Sequence, residues 1–130
     1  MPYFRVLWRT EVVASLLLLL CAAAIGAYYY FTAGVNAVLS ARGSAEVMFE
    51  YTFFIGIWPV VFFGAPIYAF LKQRRQASSY RIVIVGIAPG IVLCFGDLIM
   101  GTFGVAVGFV VALGTHFIVR NWLTTGVDIR

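Results

Sequence analysis

The sequence predicts an all-α polytopic integral membrane protein: one domain over residues 1–130, four transmembrane helices, both termini cytoplasmic. Three observations predict it. Of the 130 residues, 63% are hydrophobic and 11% charged, against roughly half and a quarter in soluble domains, and mean hydropathy is +1.01. The apolar residues gather in runs long enough to cross a bilayer. The Lys and Arg residues fall in short clusters between those runs. An ordinary soluble domain, a disordered tail and a nucleic-acid module are all excluded by this composition.

About 20 residues of helix, at about 1.5 Å each, cross a ~30 Å hydrocarbon core. The first span is expected over about 12–33, its core free of charge and its outer end marked by Tyr28, Tyr29 and Tyr30. Arg5, Arg9 and Ala22-Ala23-Ala24 give this end a resemblance to a cleaved signal. Glu11 interrupts the basic region and the apolar run continues to Phe31, so the segment is expected to remain as a span. The second span, about 51–71, lies between Glu50 and Lys72 and is uncharged.

Between Arg81 and Arg120 lie 38 residues in which Asp97, His116 and Cys94 are the titratable groups. One helix of that length would measure about 57 Å, nearly twice the bilayer. Two helices, about 82–100 and 103–119, fit better. The reversal is expected within Leu98–Thr102, where Gly101 is the natural punctuator. A broken or re-entrant segment is the alternative.

Lys and Arg in short loops set orientation. With four spans, Arg5, Arg9, Lys72, Arg74, Arg75, Arg81, Arg120 and Arg130 share one side, and Arg42 is alone on the other. Glu11 and Asp128 leave the first side at +6; Glu46, Glu50 and Asp97 leave the second at −2. The basic side is therefore read as cytoplasmic and the location as a plasma membrane of the bacterial inner-membrane kind. Trp8, Tyr80 and Trp122 fall at the inner interface, where amphipathic rings are favoured. Trp58 lies inside a span and breaks that pattern.

Helices in lipid associate by close packing, and small residues four apart let backbones approach. Gly86 and Gly90 form one such stripe; Gly104, Gly108 and Ala112 form another. They are expected to pair across a tight hairpin, with self-association or a partner interface as the alternative. Pro59, Pro66 and Pro89 remove backbone donors inside spans and are expected to shape the bundle.

Few residues offer chemistry. Asp97 is the one carboxylate within the apolar sequence, expected near the outer end, either pairing with Arg42 or reaching water. Its functional alternative is an ion site. His116 is expected at the inner surface, one turn before Arg120. Lys72, Arg74 and Arg75 are expected to meet lipid headgroups or a cytoplasmic partner. Cys21 and Cys94 have no metal or redox spacing. No catalytic set, metal-ligand pattern or phosphate loop is present, so no enzyme activity, metal or cofactor is expected. The resulting expectation is a non-enzymatic accessory, regulatory or immunity-type protein working by helix packing. Its partners are the lipid bilayer and either a membrane protein or a second copy, not nucleic acid. The alternative is a small homo-oligomeric channel or transporter with Asp97 at its outer mouth.

Overall fold

The computed structural model describes residues 3–33 and 39–124, and no strand occurs among them. Asp128 and Arg130, used in the charge count, lie outside the described residues. Four helices follow one another: α1 (Tyr3–Thr32), α2 (Ala41–Gln73), α3 (Ser79–Cys94) and α4 (Leu98–Thr124). Three of them, α1, α2 and Leu98–Trp122 within α4, are long and apolar enough to cross a membrane. α3 has 16 residues, about 24 Å of helix.

Two helices start well before the apolar runs that the sequence marks out. α1 begins at Tyr3 because its first turns are packed: Val6 joins Val13, Tyr68, Ala69, Ile82 and Val119 in one buried cluster. α2 begins at Ala41 because Ser40 caps it, its hydroxyl accepting from the Gly43 N–H at 3.1 Å. That bond satisfies one of the four N–H groups a helix start leaves open.

α2 is interrupted by a π-helical turn at Val60–Gly64, where the Ala65 N–H bonds to Val60 O. Prolines flank the turn. Pro59 and Pro66 lack an N–H, and a proline ring crowds the carbonyl four residues before it. The wider register opens room for Pro66 without ending the helix, a usual setting for a π turn.

The α3–α4 reversal falls at Phe95-Gly96-Asp97, ahead of the Leu98–Thr102 stretch suggested by Gly101. Gly101 is inside α4, and a Cβ there would strike the Cys94 backbone and Sγ. Its smallness serves close approach at the hairpin rather than the turn itself. The turn is closed by the Gly96 and Asp97 N–H groups, both donating to Leu93 O at 3.0 Å.

The helices run alternately up and down. At one end Gly26 of α1 meets Ala45 and Phe49 of α2, midway Leu18 meets Gly56, and at the other end Tyr3 Oη donates to Pro66 O at 3.5 Å. α4 returns antiparallel to α1 through Leu17 on Gly114 and the Arg9 guanidinium 4.8 Å from the Trp122 ring centroid. Two hairpins, α1–α2 and α3–α4, thus join through α1 and α4. Ala14, Leu18 and Val111 form the buried centre of that junction. By contrast, α2 comes close to α3 along its backbone chiefly at the π turn, and no residue of Ala41–Pro59 is buried.

Candidate functional site: an apolar cleft with a polar inner end

The separation of α2 from the α3–α4 hairpin leaves a cleft with a cavity of about 140 Å³. Its walls are chiefly apolar. Met48, Ile55, Pro59 and Val60 come from α2, and Val85, Pro89 and Leu93 from α3. Phe103, Val107 and Val111 come from α4. Leu18 of α1 forms part of the floor. Leu71 and Ile82 mark the end nearest the α2–α3 loop.

Tyr51 and Thr52 are the polar lining toward the Met48 end, and a second polar group lies toward the Leu71 end. Thr10, Tyr68 and Thr115 line the cavity, and His116 lies behind Tyr68. All four are at most 4% exposed. Tyr68 Oη and His116 Nδ1 are 3.5 Å apart, with the rings edge-on at a centroid distance of 6.1 Å. Thr10 donates to Val6 O, one helical turn back, at 2.7 Å. Thr115 Oγ1 is buried and has no hydrogen-bond partner. A buried hydroxyl left unsatisfied forfeits the water it gave up, a cost on the order of 1–3 kcal/mol.

His116, expected at the inner surface one turn before Arg120, is buried between helices at that end of the bundle. Tyr68, 48 positions earlier, shields it. Nothing in the sequence links the two. The available signal was that Thr10, Tyr68, Thr115 and His116 each sit within about a turn or so of the basic side, on three different helices.

The glycine stripes meet across the α3–α4 hairpin. A Cβ on Gly86 would run into the Ala112 side chain and come within 2.7 Å of Gly108 O. One on Gly90 would strike the Val105 N–H group and lie 2.5 Å from the Gly104 carbonyl carbon. One on Gly104 would lie 3.1 Å from the Gly90 Cα, and one on Gly108 would strike Gly86 O. Backbone touches backbone along this seam, which forms one wall of the cleft.

Asp97 caps α4. Its Oδ1 accepts from the Met100 N–H at 3.0 Å, its own carbonyl accepts from the Gly101 N–H at 2.8 Å, and the residue is exposed. A carboxylate at a helix start also meets the positive end of the helix dipole. Arg42 pairs one turn along its own helix with Glu46, Nε to Oε1 at 2.7 Å, both side chains exposed. The hydrogen bond first, and the Glu46 charge second, hold the Arg42 guanidinium above its ordinary range. The antiparallel order puts Arg42, Glu46 and Asp97 at one end of the bundle.

The opposite end carries the α2–α3 loop. Leu71 O accepts from the Gln76 N–H and Lys72 O from the Arg75 N–H, at 2.9 and 3.1 Å. This is the Schellman pattern, and it requires a left-handed residue just past the helix. Arg75 occupies that place at φ 54°. Arg74 lies over the Phe70 ring, 4.4 Å from its centroid, and Arg81 donates to Gln76 Oε1 at 3.0 Å. Ser78 caps α3. Among the described residues no three His, Cys, Asp or Glu side chains converge as metal ligands would.

No protein-family model, curated protein or solved structure matches the chain.

Proposed function

We propose that this chain is a multi-pass membrane protein of the plasma membrane, bacterial inner membrane in type, with four spans and both termini cytoplasmic. We further propose that it works without catalysis, as an accessory, regulatory or immunity-type component that packs its helices against a partner. The observation that carries this reading is α2. From Tyr51 to Leu71 the helix is uncharged, yet none of the residues in Ala41–Pro59 is buried. Phe54, Trp58 and Phe62 stand exposed, the last two rings stacked 5.4 Å apart. Four-residue spacing puts them on one helix face. Aromatic and apolar faces with few polar groups suit helix packing in lipid, where contact rather than hydrophobicity drives association.

The channel alternative drew its support from the proline-kinked spans, from Asp97 and from the acidic rim it makes with Glu46 and Glu50. Asp97 accepts from the Met100 N–H at its own helix start, and the rim's Glu46 pairs with Arg42 on its own helix, which weakens the support from Asp97 and the rim.

A photo-crosslinking residue at position 58 or 62, in cells that express the chain, tests the proposal. A single protein adduct, absent when the crosslinker is at Leu20 on α1, is the expected result. Adducts to lipid alone at every position would refute the partner, and a homo-oligomer that also carries ions across liposomes would favour the alternative.

A further inference from the structure

The cleft has three features that belong together. Its walls are chiefly apolar from Met48 and Phe103 at one end to Leu71 and Ile82 at the other, with Tyr51 and Thr52 among them near Met48. Thr115, 4% exposed, lines it with an unpartnered hydroxyl. The two residues that close its inner end, Leu71 and Ile82, are each next in sequence to a cation, Lys72 and Arg81.

We propose that the cleft binds one anionic glycerophospholipid, with an acyl chain along the apolar walls, an ester carbonyl at Thr115 and the phosphate between Lys72 and Arg81. Each part follows from the groups present. Thr115 Oγ1 is a donor without an acceptor, and a carbonyl oxygen supplies an acceptor without bringing charge into an apolar site. Tyr68 is level with Thr115, since it touches the neighbouring His116. Lys72 lies four residues beyond Tyr68, about 6 Å along the helix. That is roughly the offset between ester carbonyl and phosphate across a glycerol backbone. Arg81 spends one of its five N–H donors on Gln76, so the others remain to meet a phosphate. A phosphate at this end also balances the surplus of Lys and Arg there, as basic pockets between spans do for anionic headgroups. A zwitterionic lipid offers the same carbonyl without the net charge.

The proposal rests on the membrane placement above, and the experiment separates the two. The full chain is reconstituted in phosphatidylcholine vesicles containing a trace of phosphatidylglycerol or phosphatidylcholine with a diazirine on one acyl chain. Labelled peptides are mapped by mass spectrometry. The phosphatidylglycerol probe is expected to label Val85, Pro89 and Val107 several-fold more than the phosphatidylcholine probe does. Thr115→Val is expected to reduce that labelling about fivefold, while Thr115→Ser, which keeps the donor, retains it. Lys72→Gln with Arg81→Gln is expected to erase the preference for phosphatidylglycerol. Equal labelling of the unaltered chain by both probes overturns the site, and this comparison needs no variant to fold. Cleft labelling unchanged in Thr115→Val overturns it as well. Retention in the vesicles with labels only on outward residues such as Leu20 and Phe54 refutes the site alone. Release of the chain by alkaline carbonate, with no labelled residue, refutes the membrane placement and the site with it.

Discussion

Gly90→Ala places one methyl group where α3 and α4 touch. Its Cβ would strike the Val105 N–H group and come within 2.5 Å of the Gly104 carbonyl carbon. Both are backbone atoms of a helix, so neither can rotate away as a side-chain tip would. The helices must separate by about an ångström or the hairpin must tilt. Two effects oppose each other. Ala is a better helix former than Gly by about 1 kcal/mol. Overpacking a tight core costs typically about 1–3 kcal/mol, and a backbone clash belongs at or above the upper end. The balance is a net loss of roughly 2 kcal/mol or more. Gly64→Ala supplies the control, because its Cβ would meet only Pro59 O at 3.6 Å, ordinary contact. It should be neutral or slightly stabilising. Equilibrium unfolding of the detergent-solubilised chain, followed by circular dichroism across a denaturant series, separates the two signs. If Gly90→Ala unfolds at the same midpoint as the parent, α3 and α4 are not in backbone contact there and the reasoning fails.

Arg75 holds a left-handed conformation in which a β-carbon costs on the order of 1 kcal/mol, so Arg75→Gly should raise the thermal midpoint despite the lost charge. A lower midpoint would mean the side chain does more for the loop than its backbone costs. Asp97→Ala should destabilise the chain by about 0.5–2 kcal/mol through loss of the α4 cap, whereas Asp97→Asn keeps an acceptor and should change it by a few tenths at most. Equal loss in both, measured by the same unfolding series, would show that the charge matters rather than the cap. Glu46→Gln should leave the midpoint unmoved, since both partners of the Arg42–Glu46 pair are exposed.

The helical class was legible because run length and composition need no tertiary information. The ends were not. Residues 3–11 carry Arg5, Arg9 and Glu11 and look like a flank, but Val6 and Thr10 are buried and the helix includes them. The α3–α4 reversal shows how one residue type can mislead. Gly101 reads as a turn, yet it is a helical residue kept small by Cys94. The better signal was Asp97 three residues before Met100, a capping acceptor directly after Gly96. In the candidate site, four-residue spacing names two glycine faces and a tight hairpin sets them against each other, while the atoms that touch are seen only in the fold. The cleft was not legible at all. It arises because α2 packs on α1 and stays apart from α3, a choice of neighbours that periodicity does not encode. Tyr68 and His116 meet for the same reason, across helices far apart in sequence.

Impermeant-maleimide labelling tests the proposed four-span topology most directly. With Cys21 and Cys94 replaced by alanine, single cysteines are introduced as Glu46→Cys and Gln73→Cys, both at exposed positions, and a reporter is fused after Arg130. Position 46 is expected to label in intact cells and position 73 only after permeabilisation, with the reporter active on the cytoplasmic side together with position 73. A reporter on the same side as position 46 would mean that α3 and α4 do not both cross, which contradicts four spans.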